Sequence, residues 1–433
     1  METRGGHWQG ALLVLLVCAF ALSFLNFKGT DDTRGWSRFI AQTQESGLVG
    51  GYRAAGASYP YPPLSFVMLD LTARAAGKIG VSERTGIKLA IYGMFLATLA
   101  AFLAYTRKWS LTGGLGIALI LSSVALAYID IFLAPFLVLA LWALHREKWW
   151  LFAVLFAVAC LIKWQPLVLA PFFALYFLRA RSLNGLRDAP WRRVLVEAFA
   201  PAAAVGVGIL AIFGWPVIAS LQHALGSAPL SAQALNLNWL YNYFLNVVAP
   251  GRYGPLLNGM PNTVMVDQDI FTGLTRVVFW AAMAAVLVLW FRAEKTFENL
   301  MLFLLLGYLT YFTLGTGAHE NHLFPAVLLA AVLAHVNARY VPVFVTWALA
   351  ANVNLFLFYG IDGRTLPFSR MLWDFDTSVL LAAVNVALFV GYFVLVMQRQ
   401  RELARSAVPE MLPAAARSAG VETGARATQS GKI

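Results

Sequence analysis

Six polar features interrupt an otherwise apolar chain, and their side chains have the makings of acid–base and anion-binding chemistry. They are Asp31-Asp32, Tyr59-Pro60-Tyr61-Pro62-Pro63-Leu64, Asp130, Lys163, the Asn236/Asn238-Trp239 stretch and His319-Glu320-Asn321-His322. Asp31 and Asp32 follow the first apolar run. A sugar hydroxyl is not ionised at neutral pH, so a base within hydrogen-bond reach must take its proton as it attacks. Either aspartate can fill that role, and an adjacent carboxylate pair can raise the pKa of one member. The alternative is a solvated turn capping a helix that begins near Trp36.

Asp130 and Lys163 lie between or within apolar runs. Ionisable groups at membrane depth are costly and usually functional. An unpaired ammonium at Lys163 would be satisfied by a lipid phosphate, which lysine binds as a point charge; otherwise it snorkels to the interface. Asp130 reads alternatively as a helix cap or loop carboxylate. In His319-Glu320-Asn321-His322, a histidine can donate to a phosphate oxygen while Glu320 orients it. A metal reading of His319 and His322 lacks a nearby third ligand, so no metal or cofactor is expected. An interfacial polar turn is the plainer alternative. Asp267-Gln268-Asp269 and Asp374-Phe375-Asp376 match Asp-x-Asp. That pattern recurs by chance and carries no weight here.

The elements that must position these residues follow from composition. Of 433 residues, 60% are hydrophobic and 12% charged, against about 25% charged in a soluble domain. This excludes a soluble enzyme, a disordered chain and a nucleic-acid binder. The reading is an all-α polytopic membrane protein, because the apolar runs are continuous rather than alternating. The net charge of +11 sets topology. Cys18 and Cys160 both fall in apolar runs and suggest neither a disulfide nor a metal site.

Twelve transmembrane helices are expected, at 10–27, 88–106, 111–128, 131–145, 149–162, 165–178, 193–216, 272–291, 299–316, 323–338, 341–360 and 376–397. The first resembles a signal peptide but lacks a small-residue cleavage pattern, so it is read as retained. With a cytoplasmic N-terminus, the cytoplasmic loops hold Arg107, Lys108, Arg146, Lys148, Arg179, Arg181, Arg187, Arg192, Arg193, Arg292, Lys295 and Arg339. The opposite short loops hold only Lys163, Arg252, Arg276, Arg364 and Arg370. The bias fits the positive-inside rule. Residues 149–178 would reach only about 45 Å as one helix. They are split at Lys163-Trp164-Gln165-Pro166, and 111–145 is split at Tyr128-Ile129-Asp130.

Residues 1–397 then form one membrane domain, and 398–433 a polar, disordered cytoplasmic tail. Within the domain, 28–87 is a long first outer loop with amphipathic interfacial stretches at Trp36–Glu45 and Leu64–Gly77, and 217–271 is a second ordered outer loop. All six polar features fall on the outer face. The composition suits a bacterial inner membrane.

In this order, the early acidic pair, Tyr-Pro-Pro-Leu, Ile-Asp, Ile-Lys-x-x-Pro, Asn-x-Asn-Trp and His-Glu-Asn resemble the GT-C superfamily of integral-membrane glycosyltransferases. The pattern is most similar to the endoplasmic-reticulum glucosyltransferases of N-glycan assembly and their bacterial mannosyltransferase-like relatives. The resemblance covers roughly residues 10–330. It implies a polyprenyl-phosphate sugar as donor and a glycan or lipid hydroxyl as acceptor. It also implies an aspartate of the first outer loop as catalytic base, here Asp31 or Asp32. Asp32 is preferred, because Phe39-Ile40 then stands where the family has an aromatic-apolar pair. Lys163, His319 and Glu320 are implied near the donor phosphate. Asp130, Tyr61, Asn236, Trp239 and His322 are assigned to the substrate. For Asp130 a direct contact is weakened by Ile131-Phe132-Leu133, which replace the polar residues of the family motif. One displacement would invert the anomeric configuration. A transporter or lipid-glycan flippase, a lipid-linked glycan ligase or polymerase, and a pseudoenzyme scaffold remain as rivals.

Overall fold

The structure is a computed structural model that describes residues 4–55, 61–226, 229–363, 370–372 and 375–407. It is about 80% helical. In chain order the helices are α1 (Arg4–Leu22), α2 (Asp32–Ala55), α3 (Pro63–Ile79), α4 (Glu83–Thr106), α5 (Trp109–Ile120), α6 (Ala134–His145), α7 (Trp149–Ile162), α8 (Ala170–Leu178), α9 (Trp191–Arg193), α10 (Ala200–Phe213), α11 (Pro216–Leu225), α12 (Leu237–Val248), α13 (Pro250–Tyr253), α14 (Ile270–Arg292), α15 (Phe297–Leu314), α16 (Phe324–Val336), α17 (Val341–Tyr359) and α18 (Thr377–Ala407). Among the described residues, seven helices are long and apolar enough to cross a membrane, and five apolar helices are shorter. The chain is an all-α integral membrane protein.

Local chemistry sets the helix ends. Ser82, Asn236, Asp269 and Thr296 cap α4, α12, α14 and α15 with side-chain oxygens, each satisfying an orphan backbone donor. Proline opens α3, α6, α8, α10, α16 and α17, where its missing N–H costs nothing. The chain breaks at both places the sequence suggested. The α5 helix runs into a π-helical segment, Leu121–Ala125, and a 3-10 turn at Ile129–Phe132 precedes α6. Lys163 is extended (φ −146°, ψ 141°) between α7 and the 3-10 turn Gln165–Leu169 that leads into α8.

The chain divides into a large unit, residues 1–389, and a small one from Val390 that completes α18. Within the large unit α15 is central: 78% of its apolar window is buried, and α16 is also buried on nearly every side. A helix apolar all round belongs in the middle of a bundle. The continuous helical stretch Trp191–Phe213 is its opposite, with 6% of its window buried. A two-residue parallel pair joins β1 (Ser231–Ala232) to β2 (Ala318–His319), with Ser231 opposite Ala318 and Ala232 opposite His319. An antiparallel pair joins β3 (Met371–Leu372) to β4 (Phe375–Asp376).

Three expectations change. The amphipathic stretches of the first outer loop are longer helices, α2 and α3, packed on one another and on the bundle. Their aromatic residues Trp36, Phe39, Tyr52 and Phe66 are buried, so they form a folded layer rather than a film at the interface. Gly47, at φ 73°, breaks α2. Arg276, assigned to an outer loop, sits inside α14. The tail expected from Gln398 is helical to Ala407, and 408–433 lie outside the described residues. Tyr59, Pro60 and Asp374 also lie outside them.

Candidate functional site

The breaks before α6 and after α7 bring Asp130 and Lys163 together. Lys163 Nζ lies 2.7 Å from Asp130 Oδ2, and both side chains are buried. Asn321 Nδ2 donates to the same oxygen at 3.1 Å. Lys163 is therefore not the unpaired ammonium that the sequence suggested, awaiting a lipid phosphate. Its ammonium is neutralised from within, and it also faces the Tyr61 ring at 5.5 Å. Asp130 Oδ1 is buried without a hydrogen-bond partner. With 1% of its surface exposed, Asp130 is covered, and its contacts run to Lys163 and Asn321.

The His319–His322 turn closes the other wall. Tyr128 donates to Glu320 Oε1 at 2.7 Å, and Tyr359 reaches the same oxygen at 3.3 Å. Tyr359 also hydrogen-bonds Gln233 Oε1 at 3.0 Å. Glu320 is buried, whereas the His319 side chain keeps 49% of its surface, 4.0 Å from the Glu320 carboxylate. Desolvation by the surrounding protein and the Lys163 charge lower the His319 pKa. His322 pairs through Nδ1 with the Tyr311 hydroxyl at 2.8 Å, its ring 5.1 Å from that of His319.

The two aspartates of the pair diverge. Asp31 points outward, 78% exposed, 3.5 Å from Arg34. Asp32, the first residue of α2, also keeps solvent access, yet desolvation by the surrounding protein pushes its pKa up to about 6. The Glu320 and Asp130 charges add to the rise, and Lys163 and His319 oppose it. A carboxylate can be open to water and still be crowded by protein and by like charge, and both raise its pKa. Tyr61 borders the same charges: burial, then Asp32, Asp130 and Glu320, hold its phenol well above the usual range. The Tyr61 ring packs edge-on against Trp36, and its carbonyl accepts from Tyr52 and Ser220.

Asn236 and Trp239 do not join this group. Asn236 is fully buried, capping α12 through Trp239 N at 2.9 Å and donating to Phe312 O at 2.8 Å. Trp239 is buried against Leu235, Leu357 and Phe358, and its indole donates to Ser378 at 2.9 Å. Their substrate roles are replaced by structural ones, since every polar group they carry is already engaged. Asp269 likewise forms a capping box on α14 and pairs with Arg252 at 2.7 Å, which accounts for one Asp-x-Asp copy.

Three participants escaped sequence reasoning. Tyr128 and Tyr359 look like interfacial aromatics in an apolar sequence. Gln233 stands between two alanines and outside every motif in the sequence, though its backbone is left-handed at φ 59° and bridges to His319. Among the described residues, no group of three or more His, Cys, Asp and Glu is placed to hold a metal. An apolar groove of about 470 Å³ lies between α12 and α14, lined by Leu240, Tyr241, Phe244, Leu274, Val278 and Leu314. Tyr311 contacts Phe279, the neighbour of Val278 on α14. No family model, curated protein or solved structure matches this chain.

Proposed function

We propose that the chain is a GT-C-like glycosyltransferase that moves a hexose from a polyprenyl-phosphate sugar to an acceptor hydroxyl on a glycan or lipid. The observation that carries this reading is Asp32: a solvent-reachable carboxylate whose proton affinity is raised to about 6, facing Glu320, Lys163, Asp130 and His319. A base titrating near the working pH combines the right charge state with a useful driving force. In the proposed step Asp32 takes the acceptor proton. The acceptor oxygen bonds to the anomeric carbon as the carbon–oxygen bond to phosphate breaks, and the phosphate leaves with the electron pair. One displacement inverts the configuration.

The apolar groove between α12 and α14 suits an isoprenoid tail. The phosphate would then meet the His319 ring as a hydrogen-bond donor, with the Lys163–Asp130 pair behind it. Dipoles aimed at developing charge in a poorly hydrated site contribute strongly. The proposal includes twelve crossings, cytoplasmic termini, an outward-facing site and a bacterial inner membrane, on the lysine and arginine distribution.

A second reading, a transporter or lipid-glycan flippase, draws on the buried Asp130–Lys163 pair, since such pairs mark substrate paths in membranes. The test is transfer from radiolabelled polyprenyl-phosphate mannose or glucose to membrane lipid and glycan extract, with purified protein in nanodiscs. Transfer lost in Asp32→Asn supports the reading. Substrate movement across proteoliposomes without transfer replaces it with the transporter.

A further inference from the structure

Lys88 lies in α4, outside the site, yet 2% of its surface is exposed. Its ammonium donates to two carbonyls, Val124 O and Ala125 O, the latter at 3.0 Å. These belong to the last residues of the π-helical segment after α5. Carbonyls at a helix end lack intrahelical donors and carry partial negative charge, which a cation satisfies.

The next three residues each touch the site's framework. Leu126 O accepts from Thr30 N at 3.0 Å. Ala127 has a left-handed backbone (φ 62°) although it bears a side chain, a conformation that persists only where neighbours enforce it. Tyr128 holds Glu320. On the other strand of this contact, Gly29 is also left-handed, and a Cβ there would lie 2.7 Å from Ala127 Cβ and 2.9 Å from Leu126 O. Thr30 O in turn accepts from Thr33 N and Thr33 Oγ1, fixing the first turn of α2, where Asp32 sits.

We infer that Lys88 is a positioning residue: by clamping Val124 and Ala125 it holds the Leu126–Tyr128 turn, which sets Asp32 on one side and Glu320 on the other. This deepens the reading of Asp32 as base and rests on it for its catalytic meaning. A built-in comparison exists. Lys295 is buried in the same manner, its ammonium on Trp290 O, Phe291 O and Ala293 O at 2.8–2.9 Å, but those carbonyls end α14 and hold no part of the site.

The experiment follows the pH midpoint of carbodiimide labelling at Asp32 by mass spectrometry, beside kcat and KM for transfer, in wild type, Lys88→Met, Lys88→Arg, Lys295→Met and Gly29→Ala. Asp32 faces Glu320, Asp130, Lys163 and His319, and Lys88 is not among these groups. Loss of its charge alone would leave the midpoint in place or raise it, whereas release of the turn hydrates Asp32 and lowers it. The expected result for Lys88→Met is a midpoint lower by about one unit or more, with kcat reduced more than KM is raised. Lys88→Arg recovers most of both. Lys295→Met lowers the melting temperature without moving the midpoint. Gly29→Ala displaces the same turn without touching Lys88, so it gives the same downward shift and keeps the test decisive if Lys88→Met fails to fold.

An unmoved midpoint in Lys88→Met, or in Gly29→Ala when only that variant folds, overturns the inference. A shifted midpoint in a protein that transfers no sugar upholds the positioning of Asp32 and discards the glycosyltransferase reading.

Discussion

The Tyr128 hydroxyl lies 2.7 Å from Glu320 Oε1, joining the turn that leads to Asp130 to the turn that carries both histidines. Through this bond the two turns share one buried carboxylate, and that carboxylate raises the pKa of Asp32.

Asp32→Asn is expected to reduce transfer by about 10²–10⁴-fold, the usual contribution of a positioned base. Asp31→Asn, which loses only an exposed pairing with Arg34, is expected to keep wild-type kcat. Side-by-side initial rates decide. Equal losses in the two variants would remove Asp32 from its assigned role.

The rate should rise with pH along an acid limb centred near the Asp32 pKa of about 6, because only the ionised carboxylate accepts a proton. Removing the Glu320 charge removes a cause of that elevation, so Glu320→Gln is expected to move the limb to lower pH. A limb that stays in place, or moves upward, would contradict the coupling.

A carboxyl whose pKa is raised by folding stabilises the protein below its unfolded pKa, and that contribution is lost as pH rises through the folded value. At pH 7.5 Asp32 is ionised at a cost to the fold. Asp32→Asn is therefore expected to melt at or above the wild-type temperature while losing activity. A clear drop would mean that the charge serves structure.

Breaking a buried ion pair strands a charge and typically costs about 3–5 kcal/mol. Lys163→Met and Asp130→Asn should each lower the thermal midpoint in detergent, and the double variant should lie closer to wild type than either single. Additive losses would show that the 2.7 Å contact carries no coupling.

Asn236→Ala removes a helix cap worth about 1 kcal/mol and leaves Phe312 O without its donor. Reduced stability with unchanged KM is expected from thermal melts and transfer kinetics. A raised KM with intact stability would return Asn236 to the substrate.

Much of the helical plan was legible because apolar runs, prolines and basic loop residues leave separate marks. The breaks at Tyr128–Asp130 and Lys163–Pro166 were readable from run length together with the basic residues at the ends of the runs. The Lys163–Asp130 pairing was not: each residue stood out singly, and nothing in a linear pattern says that two breaks face one another. Asn236 misled for a related reason, since an asparagine ahead of an aromatic looks alike whether it caps a helix or contacts a ligand. Tyr128 and Tyr359 were hidden by context, because tyrosine is ordinary at membrane boundaries. Lys88 belongs to none of the motifs in the sequence, and only its two carbonyl partners set it apart.

The Asp130–Lys163 contact also bears on biogenesis. The two residues are 33 positions apart in sequence, one just before α6 and one just after α7, helices packed against each other and joined at the opposite end by a short basic turn. A single charge carried into a bilayer costs about 2.5–3.5 kcal/mol on insertion scales. Because both charges belong to one helical hairpin, the pair needs no later segment of the chain to form. This piece of chain can enter the membrane already neutralised, so the remainder of the fold can be added to it afterwards.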